Sequence, residues 1–248
     1  MLFGKGSERE RVWERGNLFQ EFPLSQGLPL LQSHPRKDII MVIDLYTQNP
    51  ALAVCKNDIE AARELLISTY QNGGKVLLCG NGGSCADCDH IVGELLKGFL
   101  LRREPSDDLK NKIKALGMDG CEHLAENLQM GLPAISLHSQ TALLSAFSND
   151  VAADTVYAQT LLGLAKPGDL VICLSTSGNS KNVVYAAMLA KAIGVKILSM
   201  TGEKESKLSS LSDVTIRVPS TDTYRVQEYH LPVYHYLCAE VENAFFGK

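Results

Sequence analysis

No stretch of this 248-residue chain approaches the roughly 18 consecutive apolar residues that a membrane span requires. Nor is there a block of Lys and Arg of the kind that grips a nucleic-acid backbone, and the formal charge is −4. The opening MLFGKGSERERVWERG is charged throughout and lacks the apolar core of a secretion signal. The expectation is a cytoplasmic protein with no membrane and no nucleic-acid partner. A disulfide framework is also missing: seven cysteines (Cys55, Cys79, Cys85, Cys88, Cys121, Cys173, Cys238) are an odd number scattered through apolar segments, which reads as reduced core residues. No Gly-Lys-Ser/Thr phosphate loop occurs, and the one Gly-rich loop fails the dinucleotide fingerprint because Cys85 stands where Gly or Ala is needed. Nucleotide binding is therefore disfavoured.

What is present is enough to fold. Hydrophobic residues make up 45% and charged residues 21%, too apolar for a disordered chain, and the length suits one large α/β domain. Residues 1–35 mix charge, Gly and Pro without a period and read as an N-terminal arm; residues 36–248 read as one domain. Between Lys37 and Gln71, Ile40, Val42, Ile43, Leu45 and then Ile59, Ala62, Leu65, Leu66 recur at helical spacing around a break at Pro50, which predicts two helices. KVLLC (75–79), PAIS (133–136), DLVICL (169–174), KILSM (196–200) and VTIRV (214–218) are short apolar runs alternating with helical patterns. Strand alternating with helix predicts a three-layer, doubly wound parallel sheet. Residues 102–131 form a polar insertion before the second strand, readable as a lid, an oligomer contact or a tolerated surface loop.

In doubly wound sheets ligands bind beyond the carboxyl ends of the strands, which directs attention to two loops. After KVLLC comes Gly80-Asn81-Gly82-Gly83-Ser84, whose glycines allow positive φ and close backbone approach just before a helix. After DLVICL comes Ser175-Thr176-Ser177-Gly178-Asn179-Ser180, four hydroxyls at the start of the pattern NVVYAAMLAKAIG. A helix N-terminus presents unpaired N–H groups and partial positive charge, so hydroxyls there can wrap a phosphate without a lysine. One cap needs one hydroxyl; four favour a phosphate ester.

GNGGS, STSGNS and the Arg225-Val226-Gln227-Glu228 that opens the last helix together resemble the sugar isomerase (SIS) family, and in particular its phosphoheptose isomerase branch, from about residue 37 to 246 apart from the insertion. The spacing of His90 and Glu94 places both on one helix face. Alone, such a pair is more often a surface contact. The resemblance implies that they bind zinc with Gln227 and His235. Gln227 and His235 are eight apart, about 12 Å along a helix, whereas His230 is nearer in sequence and stands as an alternative; Pro232 between them is expected to kink the segment. Cys85-x-x-Cys88 has no second Cys pair and lies on the same predicted helix, so packing is expected over a zinc ribbon, with an accessory thiolate left open. Asn149-Asp150 reads as a helix cap, and the resemblance adds contacts to sugar hydroxyls.

The resemblance thus implies a zinc-dependent ketose–aldose isomerase of sedoheptulose 7-phosphate, with Glu94 and His235 as acid–base residues and zinc polarising the reacting oxygens. Asn81, Gly82, Gly83, Ser84, Asn149, Asp150, Ser175, Thr176, Ser177, Ser180 and Gln227 would line the substrate. It further implies a homo-oligomer, a tetramer, in which the apolar breadth of the last helix would find a partner. The alternatives are a non-catalytic SIS protein that binds phosphosugars or regulates replication initiation, and an isomerase of another sugar phosphate.

Overall fold

The computed structural model describes residues 43–247. The predicted N-terminal arm, with Ile40 and Val42 of the first helical pattern, lies outside the described residues. Helix α1 (Leu45–Gln48) and a 3₁₀ turn (Pro50–Cys55) lead into α2 (Lys56–Gln71). The break falls at Pro50 as the sequence implies, because proline supplies no N–H and so begins a helix readily. Then follow β1 (Val76–Cys79), α3 (Gly83–Leu96), α4 (Asp107–Lys114), α5 (Cys121–Asn127), β2 (Ala134–Ser136) and α6 (Thr141–Phe147). The chain closes with α7 (Val156–Leu164), β3 (Leu170–Leu174), α8 (Lys181–Ala192), β4 (Lys196–Thr201), α9 (Lys207–Leu211), β5 (Val214–Arg217) and α10 (Thr223–Phe246).

All five strands are parallel, in the order β2-β1-β3-β4-β5. Side-chain alternation along each strand builds two cores. Val76, Leu78, Ile172, Leu174, Leu198 and Met200 face α2, α3 and α10, while Leu77, Cys79, Val171, Cys173 and Ile197 face α7, α8 and α9. Strands buried on both faces are what continuous apolar runs such as LVICL require. The strand order reverses between β1 and β3, so the loops after those two strands flank the crevice where open α/β sheets bind ligands.

One expectation needs correction here, that the apolar breadth of the last helix requires a partner. Helix α10 runs unbroken through Pro232 for 24 residues. Its apolar breadth is covered inside the chain, because α10 is wedged among the sheet, α2 and α3. Val226, Val233, Tyr234, Tyr236, Leu237 and Val241 are all buried, and Leu231 and Tyr224 are the large apolar side chains it exposes. The insertion is anchored at its base. Arg103, 1% exposed, forms an ion pair with the fully buried Glu242 of α10 at 2.8 Å and donates to the carbonyls of Leu95 (2.6 Å) and Glu94 (2.9 Å). The α4–α5 hairpin beyond that base exposes Leu116, Met118 and Leu124.

Candidate active site

The two polar loops meet because β1 and β3 are neighbours, with Cys79 in register with Cys173. Gly82 takes φ 55° to turn the chain into α3, and at Gly83 a Cβ would lie 2.7 Å from Nε2 of Gln227, so the side chain of Gln227 occupies the space that glycine leaves. Ser84 is buried in the first turn of α3. Asn81 and Asn182 exchange amide hydrogen bonds of 2.8 and 2.9 Å, which tie the first loop to the first turn of α8. Tyr157 of α7 supports the same loop by donating to the Gly80 carbonyl at 2.7 Å. Neither Asn182 nor Tyr157 was singled out from the sequence. Asn182 follows directly on the serine-rich loop, but its partner is 101 residues away.

In the second loop the hydroxyl of Ser175 lies 3.0 Å from that of Ser180. Ser180 stands at the N-cap of α8, yet its side chain makes no capping bond. The plain capping role therefore does not account for it; the N–H of Val183 is taken by Asn182 Oδ1 at 3.0 Å, and the helix end keeps its partial positive charge. Thr176 and Ser177 border a cavity of about 260 Å³, together with Asn179, Lys204, Ser220 and Thr221. Asn149 and Asp150 are exposed within a π-helical turn (Ser148–Ala152) and bond to each other at 2.8 Å. Asp150 caps no helix: the N-cap of α7 is Thr155, with no side-chain bond.

On the opposite face of the sheet α3 and α10 run side by side, and their seam gathers the predicted acid–base residues. His90 Nε2 is 3.3 Å from Glu94 Oε1, the contact that an i, i+4 spacing allows. The His235 ring lies 5.0 Å from the His90 ring, nearly perpendicular to it, and Phe99 packs on its other side at 5.5 Å. Burial, reinforced by His90, lowers the pKa of His235 from its ordinary value, while Glu94 opposes the shift. His230 is elsewhere. It is fully buried with Nε2 3.5 Å from the Thr201 carbonyl, and burial drops its pKa to about 4. Of the two histidines on α10, the seam takes His235.

Whether these residues suit a metal turns on their donor atoms. Nε2 of His235 is buried without a hydrogen-bond partner, an arrangement that costs free energy unless something accepts its lone pair or its proton. Two imidazoles and a carboxylate are ligand types that zinc favours. Gln227 is apart from them: it lies over Gly83, seven residues before His90 on α3, about two turns away. Among the described residues no group of three or more His, Cys, Asp and Glu is gathered tightly enough to hold a metal as it stands, so closure around an ion needs side-chain rotation. Cys88 is buried, Cys85 is half-buried, and all seven cysteines are free thiols, which agrees with packing.

Known proteins bear on this geometry. Two SIS domain families match, one over residues 134–233 and one over residues 49–109. The phosphoheptose isomerase of Mycobacterium tuberculosis (strain CDC 1551 / Oshkosh) is 38% identical over 192 residues, 76% of this chain and 85% of that protein. This chain belongs to the SIS family, in its phosphoheptose isomerase branch. The Helicobacter pylori (strain Shi470) member is 39% identical over 184 residues, covering 74% of this chain and 82% of its own. Among solved structures, the phosphoheptose isomerase of Neisseria gonorrhoeae matches this SIS chain with a TM-score of 0.63 at 28% identity, over 80% of this chain and 92% of its own. That of Francisella tularensis matches with the same TM-score at 26% identity, over 79% and 93%. Among the described residues of this SIS protein no helix is long and apolar enough to cross a membrane.

Proposed function

We propose that the protein is a phosphoheptose isomerase that interconverts sedoheptulose 7-phosphate and D-glycero-D-manno-heptose 7-phosphate with the help of a bound zinc ion. The observation that carries this is the seam of α3 and α10, where Glu94, His90 and His235 come together in a chain built like the family's isomerases. Ketose–aldose isomerisation needs a base for the proton on the carbon beside the carbonyl, a second group to serve the oxygens, and stabilisation of the enediolate charge. Glu94, with its side chain 13% exposed, is partly shielded from water and takes the first role. His235, whose pKa burial lowers, moves the proton on the other side. Zinc, when bound, would be held by His90, Glu94 and His235 and would supply Lewis-acid polarisation of the substrate's carbonyl oxygen, while Gln227, which lies over Gly83, would face the substrate.

The far end of the substrate is anchored at the loops. Ser175, Thr176, Ser177 and Ser180 with the N-terminus of α8 take the phosphate; Asn81, Gly82, Gly83 and Ser84 approach through backbone and short side chains; Asn149 and Asp150 offer polar groups to the sugar hydroxyls. Binding energy at the phosphate holds the reacting carbons in place. A homotetramer in which a neighbouring subunit completes the site is part of this reading. It draws on exposed apolar side chains such as Val54, Leu162 and Met188, since α10 itself is covered. Light scattering showing a fully active monomer would remove it. The test of function is elemental analysis of protein purified without chelator, followed by an isomerase assay on five- to seven-carbon ketose phosphates. About one zinc per chain and preferred turnover of sedoheptulose 7-phosphate are expected. Tight phosphosugar binding without turnover would identify a non-catalytic relative, and preference for a shorter ketose would reassign the substrate.

A further inference from the structure

Behind His90 lies a pair of side chains that the acid–base scheme leaves unused. Tyr234 stands on α10 one residue before His235 and is 2% exposed. Its hydroxyl is 3.0 Å from His90 Nδ1 and donates to Asp87 Oδ1 at 3.3 Å. A phenol has one proton, and an ionised carboxylate only accepts. With that proton directed to Asp87, the phenol oxygen is left to accept, and Nδ1 of His90 is the donor. A neutral His90 then carries its lone pair on Nε2, the nitrogen turned toward Glu94 at 3.3 Å. Two lone-pair atoms at that distance repel unless a positive charge joins them. The Tyr234 ring also meets both His90 and His235 edge to face, at 5.4 and 5.0 Å, so one side chain fixes the rotation of both imidazoles.

We propose that Tyr234, backed by Asp87, is a positioning residue that holds His90 in the tautomer able to bind a metal through Nε2. The proposal rests on the reading of His90 as a ligand. It adds that the ligand is set by a tyrosine relay running from α3 to α10 and back, the kind of outer partner that fixes tautomer and orientation at metal-bound histidines. Asp87 is committed to the same relay: its other oxygen, Oδ2, is buried without a partner, and burial raises its pKa.

The test is zinc affinity, measured by competition with a chromophoric chelator, on the wild type, Tyr234→Phe, Asp87→Ala, and each of these combined with His90→Ala. Tyr234→Phe keeps the ring and removes one hydroxyl; it should weaken zinc binding by about 10- to 100-fold, the usual consequence of losing such a partner. Asp87→Ala should cause a similar loss, and the pair together no more than either alone, because both act through one imidazole. In the His90→Ala background neither change should have any further effect. Unchanged affinity in Tyr234→Phe, or an equal loss that persists without His90, overturns the relay. Should Tyr234→Phe fail to fold, Asp87→Ala with and without His90 decides the matter. A wild type that binds no zinc overturns the ligand reading itself, an outcome distinct from failure of the relay.

Discussion

The two polar regions of this protein are built in opposite ways. At the loops after β1 and β3 the polar groups satisfy one another: Asn81 with Asn182, Ser175 with Ser180, Tyr157 with the Gly80 carbonyl. At the α3–α10 seam they do not. His235 Nε2 has no partner, and it lies beside the 3.3 Å contact of His90 with Glu94. A region whose side chains are tied to one another is pre-organised to receive a ligand by shape and by the helix field. A region left short of partners is poised to take up a proton or an ion. Under the proposed function the loops would be the anchor and the seam the place of chemistry, and the two should then respond differently to substitution.

The largest effect should come from the seam. Glu94→Gln keeps the shape and removes the base, so kcat should fall by about 10³-fold while KM for the phosphosugar stays within a few-fold, as steady-state kinetics would show. A comparable loss in KM instead would place Glu94 in binding. Next comes the support beneath the seam. Arg103→Met strands the carboxylate of Glu242, which also accepts from the N–H groups of Phe99, Leu100 and Leu101. Stability by urea unfolding should drop by about 3–5 kcal/mol, as for other buried pairs deprived of one partner. A drop under 1 kcal/mol would mean that the insertion base is not structurally anchored.

The histidines of α10 sharpen the contrast within a single helix. His230 belongs to neither region. Folded, it takes a proton only near its lowered pKa of about 4; unfolded, it does so near the ordinary value of about 6.5. The unfolded chain therefore binds the extra proton between those values, so this contribution to stability is intact above about pH 6.5 and is lost as pH falls toward 4, by about 3 kcal/mol in all. His230→Phe should flatten the decline measured from pH 7 to 4.5. An identical slope in the variant would show that other groups govern it. The smallest effect belongs to the anchor. Ser175→Ala/Ser180→Ala should raise KM about tenfold and leave zinc content unchanged; kcat reduced without a change in KM would move the serines from anchor to chemistry.

The contrast also explains what could be read in advance. All five strands, and the loops that follow the first and third of them, are legible as apolar runs broken by glycine and serine, which are local signals; the order that makes β1 and β3 neighbours is not local and comes from the structure. So does the His90–Glu94 contact, because helical spacing fixes a shared face. Offset along a helix pair is not local. Whether Gln227 faces His90 or Gly83 depends on how far α10 slides along α3, and the structure sets it at Gly83. Arg103 reads as a surface residue because arginine is almost never fully buried unless paired, and its partner is 139 residues away. Tyr234 is core, and the contact of its hydroxyl with His90 depends on a neighbour 144 positions earlier. Asp150 has the composition of a cap, but the chain winds into a π-helical turn there and leaves it exposed.

The division between anchor and chemistry is tested most directly with sedoheptulose that lacks the phosphate, assayed on the wild type, Glu94→Gln and Ser175→Ala/Ser180→Ala. Without the anchor, kcat/KM should fall by at least about 10²-fold, since remote binding energy no longer holds the reacting carbons. The residual turnover should disappear in Glu94→Gln and be the same in the serine variant as in the wild type. Residual turnover that survives Glu94→Gln, or that falls with the serines although no phosphate is present, would contradict the assignment of the chemistry to the seam and of the anchor to the loops.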